Sequence, residues 1–208
     1  MGSVADEIRA FGTAVVHAFV LAETETRLSI ITFSGSATLE LGLSTNQDAA
    51  LEVVAQYEPN GWTNIAAAIE LANTTLATEG RGQGVPGAAF LLTDGVTSSN
   101  YGTDKDAILA AYRLKSEGYT LFAMGFAGAS EQTLEAMSSS PTSQYAYLGT
   151  SVEDIAEASS QLCSIIASPR SPPMPPPPSP LPSSPIYSPK SPPPPASPLF
   201  VISCYEVV

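Results

Sequence analysis

The sequence predicts an α/β fold, a doubly wound and mostly parallel sheet with helices on both faces. Three observations predict it. Segments with helical periodicity alternate with short apolar or alternating segments of strand character along residues 1–167. One of the strand-like runs, Ala88 to Leu92, is continuously apolar and ends in Thr93-Asp94-Gly95, the pattern of a strand covered on both faces that delivers a polar side chain at its carboxyl end. Apolar residues make up 44% of 208, enough for one ordinary core plus an appendage.

Each element follows from its local pattern. Residues 4–21 place Ile8, Phe11, Val15 and Phe19 three to four apart, which predicts an amphipathic helix packed on the sheet. Arg27 to Phe33 is apolar and rich in β-branched residues. Ala37 to Leu43 alternates after Ser34-Gly35-Ser36, so the two runs read as a hairpin. Asn46 caps a helix to Tyr57, and Pro59-Asn60-Gly61 breaks it. A helix follows over residues 64–78, with Ile65, Ala68, Ile69, Ala72 and Leu76 as its inner stripe. Beyond the Asp94 strand the pattern predicts a helix over 104–117, a strand over 119–126, a helix over 131–138, a strand over 144–148 and a helix over 152–166.

Residues 168–198 differ in kind. From Pro169 to Pro198, sixteen of thirty residues are proline, set among Ser-Pro and Ser-Pro-Pro units. Such a run builds no packed core and favours an extended polyproline II rod of about 3.1 Å per residue. A plain spacer or a ligand for aromatic-lined grooves would have the same composition; the Ser-Pro repeat resembles the hydroxyproline-rich stalks of plant and green-algal cell-wall glycoproteins. The last ten residues, 199–208, are apolar and β-prone again. They read as a piece of a following domain, a docking strand or a product of misread splicing.

Charge narrows the partners. Residues 1–168 carry six Lys and Arg against nineteen Asp and Glu, a net of −13 within the chain's −12. A surface of this sign repels nucleic acid and anionic membranes. It is compatible with basic or cation-bridged partners, and also with a merely solvated face. No run of about eighteen apolar residues predicts a membrane span, and no basic segment followed by an apolar run predicts a secretory leader. Cys163 and Cys204 are too few for a disulfide framework and wrongly spaced for zinc. A bridge between them, an unpaired core Cys163, or a Cys163 whose partner lies upstream all remain open.

Thr63, in Gly61-Trp62-Thr63-Asn64, and Asp94 each stand where a buried element meets the surface. A hydroxyl and a carboxylate suit a hard divalent cation, which takes oxygen ligands. As single residues, a Thr at a helix start and an Asp in a turn are also ordinary capping and turn residues. Their spacing by one helix and one loop, within this element order, resembles the von Willebrand factor A domain family. There a divalent ion sits at the top of a Rossmann-like doubly wound sheet, held by an Asp-x-Ser-x-Ser run after the first strand, a Thr in a Gly-x-Thr-Asn-like turn and an Asp in Thr-Asp-Gly.

The resemblance implies that Thr63 ligates magnesium, or manganese or calcium, directly, and that Asp94 holds it, often through water. It implies a non-catalytic adhesion or protein-binding module whose partner offers a carboxylate or is a matrix component. With the proline-rich tail it implies an extracellular matrix or cell-wall setting. Trp62, beside Thr63, either contacts a partner or shields the loop. Asn64 and Ser34 lie at the same edge, and Ser34 reads as a turn residue in preference to a ligand.

The chain departs from the family in one respect. Asp-x-Ser-x-Ser is absent, and Met1-Gly2-Ser3 reads as the stretch just past it, so the domain is expected to lack its first strand and first metal loop. The metal set is then short of two hydroxyls and a carboxylate. The family's first strand lies at the centre of the sheet, so its neighbours would leave buried backbone groups unpaired at about 1–3 kcal/mol each. Against a stability of about 5–15 kcal/mol, the isolated chain is expected to be marginal or molten. A further reading of residues 199–204 avoids this, because the stalk is long enough for them to return into the vacant place.

Alternatives of other classes are a metal-independent scaffold and a subunit of an intracellular enzyme assembly. Gly82-x-Gly84-x-x-Gly87 matches a dinucleotide fingerprint as a string, but it follows a helix and precedes a strand, the reverse of what phosphate binding at a helix N-terminus requires. His17 has no nucleophile motif near it, which removes support for a hydrolase. Asn73-Thr74-Thr75 is a glycosylation string inside a predicted helix and is expected to go unused.

Overall fold

In the computed structural model, residues 4–58, 62–81, 85–93, 97–98, 100, 102–126, 128–149 and 199–205 are described. The elements are α1 (Val4–Ala18), β1 (Leu28–Phe33), β2 (Ala37–Ser44), α2 (Gln47–Ala55), α3 (Ile65–Glu79), β3 (Gly87–Thr93), α4 (Asp104–Ser116), β4 (Thr120–Gly125), α5 (Glu131–Met137), α6 (Thr142–Tyr145), β5 (Ala146–Leu148) and β6 (Leu199–Tyr205). They form an α/β structure on a six-stranded sheet of order β2-β1-β6-β3-β4-β5. Strands β3, β4 and β5 pair in parallel, while β6 is antiparallel to both β1 and β3. Four of the six strands therefore run one way, with β2 and β6 reversed.

The core follows from the predicted stripes. All seven positions of β3 are buried, as a strand covered on both faces requires. Phe90 stacks on Phe122 at 4.6 Å between ring centroids, and Phe122 meets Tyr145 at 5.0 Å, a continuous aromatic line from β3 to the sheet's β5 edge. Ile8, Phe11, Val15 and Val16 of α1 are buried, and α1 packs beside α2. The inner stripe of α3 is buried as read, and α3 passes over β1, β6 and β3 and lies beside α4. Helix α5 sits so close on β4 that a Cβ on Gly125 would lie 2.5 Å from the Leu134 Cδ1 atom.

Helix ends are set by local chemistry. Thr103 and Asp106 form a reciprocal capping box at the start of α4. At its end the Gly118 N–H donates to the Lys115 carbonyl and the Tyr119 N–H to the Leu114 carbonyl. This closing motif needs a left-handed residue, and Gly118 supplies it at φ 90°. The Asn46 side chain caps α2 as read from the sequence.

Three expectations change. Helix α1 stops at Ala18 instead of residue 21, and Val20 is left largely exposed. The strand expected over 144–148 is only β5, because residues 142–145 make a helical turn first. The third change concerns the sheet centre. β6 occupies the place between β1 and β3 that the missing first strand was expected to leave open, pairing Leu28 to Phe33 with Cys204 to Leu199 and Gly87 to Leu91 with Tyr205 to Val201. The backbone groups expected to be orphaned are thereby paired, which removes the reason for expecting a molten chain. The helix expected over 152–166, the proline-rich stalk and Cys163 lie outside the described residues.

Val201 stands at the middle of β6, registered with Ile31 on one side and Leu91 on the other. Proline there removes a ladder donor from a central strand and leaves a buried carbonyl unpaired. Val201→Pro is expected to lower stability by about 1–3 kcal/mol or more, read as an earlier urea midpoint. An unchanged midpoint would show that β6 does not hold this place.

A loop cluster at the carboxyl ends of β1 and β3

The candidate site lies where β1 and β3 end, and of the residues singled out in the sequence Thr63, Asn64 and Ser34 come together there. β1 runs into the Ser34-Gly35-Ser36 turn, closed by a hydrogen bond from the Ser34 N–H to the Ser36 carbonyl at 2.9 Å. The loop before α3 crosses to this turn: the Asn64 N–H donates to the Ser34 carbonyl at 2.8 Å, and the Asn64 side-chain amide donates to the Gly35 carbonyl at 3.1 Å. The same side chain accepts from the Ala67 N–H at 3.0 Å, capping α3. Asn64 thus does two jobs. Its amide nitrogen anchors the hairpin and its oxygen starts the helix.

On its other side the loop is tied to the segment that follows β3. The Thr63 N–H donates to Ser98 Oγ at 3.0 Å, and the Ser98 N–H donates back to the Thr63 carbonyl at 2.9 Å. Thr97, one residue earlier, donates its N–H to Asp104 in the first turn of α4 at 3.3 Å, while the other oxygen of that carboxylate accepts from the Thr133 hydroxyl at 3.2 Å. Thr63 is therefore fixed at both backbone groups, between the end of β1 and the end of β3.

Its side chain is not similarly satisfied. Thr63 is 1% exposed, and its hydroxyl oxygen has no hydrogen-bond partner among the described residues. The hydroxyl of Thr97 is buried and unpartnered in the same way. A buried hydroxyl without a partner costs about 1–3 kcal/mol, so an orphan on a loop held this firmly is a place where a ligand can be accommodated. Oxygen donors of this kind match a hard divalent cation. Asp94, the carboxylate expected beside Thr63, lies outside the described residues, and among the described residues no group of three or more His, Cys, Asp or Glu could hold a metal.

Of the remaining candidates, Trp62 is half-buried beside Thr63, and Ser34 contributes its backbone to the cluster and borders an open cavity of about 350 Å³. That cavity also takes in Glu40, Gln56 and Glu58, so the surface beside the loops is polar and acidic. Sequence reasoning missed Thr97 and Ser98. The signal available was a hydroxyl-rich stretch just after Thr93-Asp94-Gly95, on the segment that must turn from β3 towards α4. His17 meets Gln47 at 2.9 Å, a surface contact far from any nucleophile motif. Asn73 lies inside α3, as the sequence pattern predicts, and Thr75 is buried.

A doubly wound α/β sheet carrying a polar loop cluster at the ends of its parallel strands defines the class. The von Willebrand factor type A domain family matches residues 2–161, and the chain belongs to that family. It is 29% identical to the collagen alpha-6(VI) chain of Mus musculus and 28% identical to that of Homo sapiens over 147 residues each, 67% of this chain. The matched part is 6% of the length of those collagen chains.

Among solved structures, the vWF domain of the type V pili tip protein Mfa5 from Porphyromonas gingivalis superposes with a TM-score of 0.67 at 11% identity, over 80% of this chain and 90% of that one. The manganese-loaded TRAP protein of Plasmodium vivax gives 0.60 at 20% identity, over 73% and 63%. At these identities the likeness is one of fold.

The double role of Asn64 sets a test. Asn64→Ala removes both the α3 cap and the tether to Gly35, and is expected to cost about 1–2 kcal/mol by urea unfolding. Asn64→Asp retains the capping oxygen and should recover about half of that loss.

Proposed function

We propose that this chain is a non-catalytic, divalent-cation-dependent protein-binding module of adhesion type, with its contact face at the loop cluster around Thr63. The observation that carries the reading is the hydroxyl of Thr63, buried and without a partner among the described residues, on a loop hydrogen-bonded to the Ser34 turn after β1 and to Ser98 beyond β3. Thr63 would hold magnesium or manganese directly through that hydroxyl, with Asp94 supplying the carboxylate and Thr97 a further buried oxygen. When bound, the ion supplies an open coordination position for a carboxylate of the partner. Ser98 and Asn64 position the Thr63 loop, and Trp62 and Ser34 border the contact face.

Two resemblances support this reading: manganese is present in the structurally similar TRAP protein, and the curated relatives are collagen chains. The collagen relatives and the Ser-Pro-rich segment both favour an extracellular matrix or cell-wall setting. A metal-independent scaffold is the second reading, favoured by the absence of Asp-x-Ser-x-Ser from the sequence.

Manganese or magnesium titration followed by thermal unfolding separates the two. At a metal concentration 100 times its dissociation constant, binding to the native state is expected to add about 2.7 kcal/mol. Asp94→Ala and Thr63→Val should each abolish that gain. Thr63→Val has a second signature: replacing an unpartnered buried hydroxyl by a methyl should leave the metal-free protein as stable as the parent, or up to about 1 kcal/mol more so. Equal midpoints with and without metal in the parent chain would identify the scaffold. The binding face is then tested by metal-dependent, chelator-sensitive capture of an acidic peptide, which both variants should lose.

A further inference from the structure

The loop cluster makes no use of the cavity beside it. That cavity, of about 350 Å³, lies between the β1–β2 hairpin and the C-terminal end of α2. Its size is at the low end of the roughly 300–1,000 Å³ of pockets that take small ligands, so it suits one long side chain better than a folded segment. Its floor is apolar, with Phe33 and Tyr57 buried there and Val53 half-buried beside them. Its exposed rim is made by Glu40, Gln56 and Glu58.

The polar atoms left over on this rim are acceptors. One oxygen of Glu40 accepts from the Thr32 hydroxyl at 2.6 Å, which fixes the carboxylate and leaves its other oxygen without a partner among the described residues. Gln56 donates its amide nitrogen to Glu52 at 3.2 Å, so its side-chain oxygen remains. No Lys or Arg lines the cavity. Arg9 reaches Glu58 at 2.9 Å, but the same guanidinium is held by the Tyr57 carbonyl at 3.0 and 2.8 Å and by Asp6 at 3.0 Å. Among the described residues Glu40 therefore has no cation of the chain's own.

An apolar floor under an acceptor rim matches a side chain with an aliphatic stem and a head that only donates. Arginine has both: its stem packs along apolar surface, and its planar guanidinium meets a carboxylate with two parallel N–H donors and carries no acceptor to oppose the rim. The excess of nineteen Asp and Glu over six Lys and Arg in residues 1–168 has the sign that draws a basic partner. The cavity is also continuous with the contact face proposed above, since Ser34 lines it and accepts the Asn64 N–H through its carbonyl.

We propose that this cavity is a binding site for an arginine side chain of a protein partner, with Glu40 as the ion-pairing residue and Gln56 as a further acceptor. No metal takes part, so this site stands or falls separately from the one at Thr63.

The test uses the full chain in low-salt buffer containing a chelator. Two blocked tripeptides serve as probes, Gly-Arg-Gly and its counterpart with citrulline, which has nearly the same shape and no charge. NMR titration of the isotope-labelled protein should show saturable shifts confined to the amides around Glu40 and Gln56 with the arginine peptide. The citrulline peptide should bind about fivefold more weakly or worse, the size of a partly exposed charged pair. Glu40→Gln keeps an oxygen for the Thr32 hydroxyl and should weaken the arginine peptide to a similar extent. Gln56→Lys, which places a cation of the chain's own at the exposed rim, should do the same and retains the readout if Glu40→Gln fails to fold. Glu117→Gln, an equal change of charge at the exposed end of α4, should leave binding unchanged.

Equal binding of the two peptides overturns the proposal, because the site then does not read charge. Shifts scattered over the surface and weakened as much by Glu117→Gln as by Glu40→Gln overturn it as well, since the whole acidic surface and not the cavity then attracts the peptide. Absence of any saturable shift with the arginine peptide has the same meaning.

Discussion

The antiparallel ladder that β6 forms with β1 and β3 is the constraint on which the rest of this structure depends. Both neighbours are buried strands in the middle of the sheet, and a buried backbone N–H or carbonyl must be paired. Without a strand between them, β1 with its hairpin and β3 with the parallel half of the sheet would be two unjoined pieces. The same strand sets the distance between their carboxyl ends. The Thr63–Asn64 loop bridges that distance, bonded to the Ser34 turn on one side and to Ser98 on the other. The loop cluster thus takes its dimensions from a segment more than a hundred residues further along the chain.

Strand direction also has a chemical consequence. The resemblance to the von Willebrand factor A family implies a first strand at the centre of the sheet, followed by Asp-x-Ser-x-Ser among the metal loops. β6 runs antiparallel to β1 and β3, so its first residue, Leu199, meets Phe33 at that end. β6 pairs the backbone donors and acceptors that β1 and β3 turn towards each other, as an antiparallel ladder can. It brings no Asp-x-Ser-x-Ser run to that end, since residues 1–208 contain none. What remains at the loops is a set of hydroxyl oxygens, those of Thr63 and Thr97, held rigidly and left without partners among the described residues.

Much of the architecture was legible from local pattern. The α3 stripe, the continuous apolar run of β3, the hairpin after Phe33 and the cap at Asn46 all follow from residue spacing and side-chain chemistry within a dozen residues. The errors have local causes too. Phe19 and Leu21 extend the helical periodicity past Ala18, but there the chain turns towards β1. Gln144 and Tyr145 have strand character, yet complete a helical turn in which Tyr145 packs on Phe122. Of the site, Thr63 was found from its position before α3. Ser98 was missed because its role is a contact with a residue thirty-five positions away.

The sequence by itself determined the α/β class, the order of the elements from α1 to β4, and the oxygen chemistry of the loop end. These depend on hydrophobic period, caps and residue type, which act over short distances. Only the tertiary structure decided that Leu199–Tyr205 completes the sheet, and that it does so antiparallel to β1 and β3. An apolar β-prone segment has no preferred partner of its own, and its place is chosen by where unpaired backbone is buried, a property of the assembled sheet.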